Sequence, residues 1–240
     1  YFITAGQWYL NVGGVATLVE EGERLLNPLP LYHMNSLAVS AMAMMLSGGC
    51  LISPGRFHPS TWWEDVVSTR ATVVHYLGVI PPLLLNLPES PAERTHGVKF
   101  GVGAGVDPKH HASFEQRFGF PLVEVWGMTE TGRILIDTVE PRKVGSRAFG
   151  KPTQGLEARV VDENDVDVPF DQPGELIVRF TGSEPRFGFF SGYHKNVEAT
   201  EEAWRGGWFH TGDPVRQDKT QMLYFIDRKK NIIRRSGENI

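Results

Sequence analysis

The stretch VKFGVGAGVDPKHHASFEQRFGFPLVEVWGMTE, Val98–Glu130, decides the fold. Val98 to Val102 reads as a strand. Asp107-Pro108 then makes an N-cap and first-turn pair: an aspartate at the cap accepts from the free amides, and proline tolerates the first turn. The helix so opened runs to about Phe118, and Leu122 to Val125 returns to strand. Strand, helix and strand at this spacing imply a right-handed crossover between parallel strands.

The same alternation extends towards the N-terminus. Residues 1–20 read as a helix interrupted near Gly13-Gly14, and Arg24 to Leu29 as a short strand. Ser36 to Leu46 is a helix closed by Gly48-Gly49, and Leu51-Ile52 a strand remnant. Pro59 opens a helix to about Arg70, Val73 to Leu77 is a β-branched strand, and residues 79–87 form a short helix despite Pro81-Pro82. After about residue 145 the pattern changes. Leu156 to Val161, Glu175 to Phe180, Phe209 to Thr211 and Met222 to Ile226 are short strands between turns such as Asp162-Glu163-Asn164-Asp165 and Pro169 to Gly174. The expected architecture is α/β: a largely parallel sheet with flanking helices over 1–145, then a small antiparallel barrel or sandwich over 146–226, then a tail over 227–240.

Composition narrows the function class. In 240 residues, 41% are hydrophobic and 22% charged, and the net charge is −4, as in an ordinary globular protein. The basic run Arg228, Lys229, Lys230, Arg234 and Arg235 reads as a solvated face, and nucleic acid is not an expected partner. Cys50 is the only cysteine, which excludes an intramolecular disulfide and a cysteine-based zinc site. The longest apolar stretch, Leu37 to Leu46, is shorter than the roughly 20 residues of a membrane span. Tyr1-Phe2-Ile3-Thr4 lacks the layout of a signal peptide, so a cytoplasmic protein is the expectation. Both ends look cut.

Three segments hold residue types suited to chemistry. Trp126-Gly127-Met128-Thr129-Glu130-Thr131-Gly132 follows a parallel strand, where open α/β sheets place ligands. An aromatic can stack on a base, glycine lets the backbone approach, threonine offers a hydroxyl to phosphate, and a carboxylate suits Mg²⁺. In Trp208-Phe209-His210-Thr211-Gly212-Asp213, Asp213 could accept from both hydroxyls of a ribose. Arg228, in the run from Asp227 to Asn239, suits bidentate contact with ribose or phosphate oxygens. Taken singly, each segment also reads as a polar turn.

In this order the segments resemble the adenylate-forming superfamily of acyl-CoA synthetases, peptide-synthetase adenylation domains and firefly-type luciferases. The resemblance runs essentially end to end. Leu29-Pro30-Leu31-Tyr32-His33 is similar to the family's carboxylate-pocket segment, which places His33 and Gly105 at the acyl group. Gly103-Ala104-Gly105 resembles its small-residue loop beside adenine and acyl. The resemblance implies that Trp126 stacks on adenine with Gly127 beside it, that Thr129 contacts the AMP phosphate, and that Glu130 holds Mg²⁺. Gly174-Glu175-Leu176, Gly192-Tyr193 and Thr200 match the next block. Asp213 would bind ribose, Asp227 would be the hinge pivot, and Arg228 would touch the ribose. Thr129 and Glu130 are the expected catalytic residues, ATP/AMP, Mg²⁺ and the co-substrate CoA the expected small molecules, and a carboxylic acid the other substrate.

The resemblance also has gaps. The family's phosphate loop would precede Tyr1, and its small C-terminal domain with the adenylation lysine would follow the hinge. An inactive central fragment of the large N-terminal domain is therefore expected. Trp126 replaces a common Tyr, Gly105 a frequent Pro, and Asp218-Lys219-Thr220-Gln221 predicts a loose hairpin tip. His33-Met34-Asn35-Ser36 lacks the acid that grips an amino-acid amine. The tail looks most like crotonobetaine/carnitine-type CoA ligases. The expected function is thus an ATP-dependent carboxylate–CoA ligase, with a non-catalytic AMP/ATP-binding fragment, a luciferase-like half or an amino-acid-activating half as alternatives. His110-His111 read as a solvent-facing helix turn, Trp62-Trp63 as one core and one partly exposed ring, and His75 as core or pocket wall. Oligomeric state and the identity of the acid stay open.

Overall fold

The computed structural model describes residues 19–132, 134–138, 140–152 and 155–226, together with the backbone of 234–235 and 238–239. The chain divides into two compact units, Tyr1–Gly150 with Gly188–Phe190, and Lys151–Phe187 with Ser191–Ile240.

In the first unit six strands line up as β2-β1-β3-β4-β5-β6. They are β1 (Arg24–Leu26), β2 (Cys50–Ile52), β3 (Val73–Leu77), β4 (Phe100–Ala104), β5 (Leu122–Gly127) and β6 (Ile134–Ile136). All neighbours pair in parallel except β5 and β6, which are antiparallel. Helices cross between them: α1 (a π-helical segment Asn35–Met42 continued by the α-helical Ala43–Ser47), α2 (Trp62–Ser68), α3 (Ile80–Leu85) and α4 (Pro108–Phe118). The Asp107 carboxylate accepts from the Lys109 amide at the start of α4. Gly48 ends α1 in the left-handed conformation that glycine adopts without a Cβ clash. The expected helix over residues 1–20 lies outside the described residues but for its last two.

Alternation along the strands splits the core into two layers. Val73, Val102, Val123 and Val125 face Val39, Ala43 and Met44 of α1. Leu26, Val74, Tyr76 and Leu122 face Trp62, Val66, Leu84, Phe114 and Phe118 of the other helices. Each fully buried side chain of this size contributes roughly 1.5–3 kcal/mol. Trp62 and Trp63 are both buried, not one of two as the sequence predicts. Trp62 meets Phe57 edge-on and Trp63 stacks on His96, so both flanks of α2 are covered. His111 is also buried, against the expected solvent-facing turn. Its Nε2 lies 3.1 Å from the Leu122 carbonyl and its Nδ1 accepts from the Gly145 amide. No helix among the described residues is long and apolar enough to cross a membrane.

A further short strand, β7 (Ala148–Gly150), closes the first unit. In the second unit β8 (Leu156–Val161), β9 (Gly174–Phe180), β10 (Phe209–Gln217) and β11 (Leu223–Phe225) run antiparallel in the order β11-β10-β9-β8. A helix, α5 (Val197–Ala203), starts at Asn196, whose side chain accepts from the Ala199 amide. The β10–β11 tip is tightly bonded rather than loose. Asp218 Oδ1 accepts from the amides of Thr220 and Met222 and from the Thr220 hydroxyl, and Oδ2 accepts from Tyr224. Burial pushes the Asp218 carboxyl up, but these donors outweigh it and hold it at about 2.

Candidate functional site

The carboxyl ends of β3, β4 and β5 bring together most of the first-unit residues that the sequence marks for chemistry. Leu77 pairs with Ala104, and Gly103 with Glu124, so the small-residue loop lies between the ends of β3 and β5. Two glycines make that approach possible. A Cβ on Gly103 would sit 2.1 Å from the Tyr76 carbonyl oxygen, and one on Gly78 would sit 1.9 Å from that of Gly105. Gly105 itself has φ +83°, which proline, fixed near −65°, cannot adopt.

A carboxylate unmarked in the sequence holds this loop. Glu124 on β5 is buried. Its Oε2 accepts from the Gly105 amide at 3.0 Å, and Oε1 from the Val106 amide at 3.2 Å and the Tyr76 hydroxyl at 2.5 Å. Burial raises the Glu124 pKa, while the three donors favour its charged form. Burial, then the neighbouring carboxylate, pushes Tyr76 well above its ordinary value, so the phenol stays protonated and donates. Nothing in the period of the β5 sequence marks Glu124 as anything but one more strand position.

Beyond β5 the chain turns sharply, with the Thr131 amide and hydroxyl both donating to the Met128 carbonyl. Gly127 and Thr129 are exposed and Glu130 is half-buried. The Glu130 carbonyl accepts from the Phe190 amide, tying the turn to the returning segment of the same unit. Trp126 is 2% exposed, its ring tilted against Phe149 at 6.3 Å. His33 stands after β1, its ring 4.4 Å from that of the exposed Tyr32. Buried Asn27 shapes this segment, exchanging hydrogen bonds with the backbone of Leu29.

In the second unit, Thr211-Gly212-Asp213 does not end a short strand. It forms a bulge inside the longer β10, where the register to β9 shifts between His210 and Pro214. Gly212 takes φ +69° there. Bulges re-aim side chains at functional sites, and this one leaves Asp213 half-buried. Glu175 braces it: Oε1 accepts from the Gly212 amide at 2.9 Å, and Oε2 lies 3.1 Å from His210 Nδ1 and 3.4 Å from Arg205. The Thr211 hydroxyl donates to the Leu176 carbonyl and accepts from the Asp213 amide. Thr200 accepts from the Tyr193 amide, joining the last two motif positions. Asp227 and Arg228 lie outside the described residues.

A parallel sheet with its glycine and hydroxyl loops at one carboxyl edge defines the class of open α/β proteins that take ligands there. The AMP-binding enzyme family matches residues 2–194, and the chain belongs to it. Sulfoacetate–CoA ligase of Cupriavidus necator is 35% identical over 224 residues, covering 91% of this chain and 42% of that protein. A crotonobetaine/carnitine–CoA ligase of Citrobacter koseri is 31% identical over 229 residues, covering 92% and 43%. A benzoate CoA ligase from Burkholderia xenovorans superposes with a TM-score of 0.81 at 19% identity, covering 96% of this chain and 45% of that one, and supports the fold. The chain spans less than half the length of these relatives.

Proposed function

We propose that this chain is the central part of an ATP-dependent carboxylate–CoA ligase. The observation that carries the reading is the carboxyl edge of the sheet, where Gly103-Ala104-Gly105 ends β4 and Gly127 to Glu130 follow the neighbouring β5. An approachable glycine backbone, a threonine hydroxyl and a carboxylate are a donor set that fits a nucleotide phosphate with a divalent cation. Family membership and similarity to two CoA ligases support the same reading.

In this reaction the substrate carboxylate attacks the α-phosphorus of ATP, giving an acyl-adenylate and pyrophosphate. The CoA thiol then attacks the acyl carbon and AMP leaves. The first step calls for charge neutralisation more than proton transfer. Glu130 would hold Mg²⁺, which when bound neutralises phosphate charge, and Thr129 would donate to the AMP phosphate. Gly103, Ala104 and Gly127 would line the nucleotide, Asp213 and Arg228 would take the ribose, and Asp227 would be the hinge. Gly105 and His33 would wall the acyl group. Trp126 would meet adenine by resemblance.

Pyrophosphate release by the full-length protein tests the reading. Glu130→Ala should cut it by on the order of a hundredfold or more, and unchanged release would sink the assignment. Calorimetry with AMP is the second arm: Asp213→Ala should weaken binding, and equal affinity would remove Asp213 from the ribose site.

A further inference from the structure

Between α1 and the sheet lies a group of buried polar side chains that none of the proposed roles uses. Ser36, Ser40 and His75 are all 0% exposed. His75 Nδ1 lies 2.6 Å from Ser40 Oγ. Among the described residues, His75 Nε2 and Ser36 Oγ have no hydrogen-bond partner. Buried polar atoms are almost always paired, and an unpaired one calls for an explanation such as a missing ligand or water.

Their placement is specific. His75 alternates with Val73 and so faces the same layer as Val102 and α1. It stands two residues before Leu77, which pairs with Ala104, the neighbour of Gly105 at the expected acyl site. At the rise of a strand that is roughly 7 Å down the sheet. Ser36 and Ser40 lie one turn apart in α1, in the segment where the Ala43 amide reaches back to the Ala38 carbonyl. π-helical turns are frequent at functional sites. Among the described residues, the Ser40 hydroxyl meets His75 Nδ1 alone. If that hydroxyl donates there, as a buried donor must find an acceptor, the imidazole proton sits on Nε2. The group thus offers an N–H and a hydroxyl, with no formal charge, among Val39, Ala43 and Met44.

We propose that Ser36 and His75 bind a second oxygen of the carboxylic acid substrate, four or so bonds from the carboxyl that reacts. Two neutral donors in an apolar layer suit a hydroxyl or keto oxygen and disfavour a second anion, whose charge they would leave uncompensated. The substrate class is a hydroxy- or oxo-carboxylic acid of short chain. This rests on the ligase reading and deepens it.

The test is pyrophosphate release by the full-length protein with pentanoate, 4-oxopentanoate and 5-hydroxypentanoate. An oxygenated acid should exceed pentanoate in kcat/KM by about tenfold or more, because unpaired buried donors reject an analogue lacking the oxygen. Ser36→Ala and His75→Leu should each erase most of that preference, and His75→Gln, which keeps a donor, should retain part of it. Equal use of the three acids would mean that the group holds only a water, and overturns the proposal. So does a preference that survives both Ser36→Ala and His75→Leu. Pyrophosphate release with other carboxylic acids but with none of these three would overturn this inference alone, whereas release with no carboxylic acid would overturn the ligase reading as well.

Discussion

Lowering the pH from 7 charges the histidines of the unfolded chain near 6.5, but burial depresses His75 in the folded protein to about 4. Between those values the unfolded state holds a proton that the folded state does not, so stability falls as the pH falls through this window. At about 1.4 kcal/mol for each pH unit crossed, the loss is about 2 kcal/mol by pH 5 and about 3 kcal/mol by pH 4. Other groups titrate on acidification as well. Glu115, which burial raises but His111, Arg142 and the Leu122 amide pull down, sits at about 2 and acts at lower pH. Comparison with His75→Gln isolates the residue, since glutamine can still reach Ser40 and does not titrate. Urea unfolding of both proteins at pH 7, 6 and 5 gives the stability gap at each pH. The gap should shift by about 2 kcal/mol across the series, at the expense of wild type. A gap that stays constant within about 0.5 kcal/mol would show that His75 is not protected from protons in the folded state.

Three further outcomes follow from the packing. Arg117 donates to the Leu85 and Leu87 carbonyls and pairs with buried Glu93 at 2.9 Å; Arg117→Met strands that carboxylate and should cost about 3–5 kcal/mol in chemical unfolding. Gly105→Ala meets no atom closer than 4.0 Å, so its cost is backbone strain alone, about 1–2 kcal/mol, readable as a lowered Tm. Glu124→Gln puts an amide N–H against one of three donors; it should lower kcat/KM for adenylate formation by about tenfold or more while AMP affinity stays within about threefold.

The parallel half of the fold is legible in the sequence because its signals are local. Asp107-Pro108 caps α4 whatever surrounds it, and β-branched runs mark β3 and β5. The second half reads short, since β10 continues through its bulge to Gln217 and only the partner strand reveals that Thr211 to Asp213 protrude. β6 and β7 leave no readable trace because three-residue strands carry too little pattern. Residues with visible chemistry, such as Thr129 and Glu130, announce themselves by type and order. Asn27, Glu124 and Glu175 do not, because their work is to hold someone else's backbone, and that depends on contacts far apart in the chain. His111 and Trp63 mislead for a related reason: their faces of α4 and α2 are covered by segments distant in sequence.

Glu124 has a consequence for how such proteins diversify. With its oxygens committed to Tyr76, Gly105 and Val106, the loop after β4 tolerates little drift at this position, since any replacement disturbs three partners at once. α1 lies against the other face of the sheet, and its Ser36 hydroxyl has no hydrogen-bond partner among the described residues to lose. On the ligase reading proposed above, a change of acid would fall to side chains of α1 and not to the backbone that Glu124 holds.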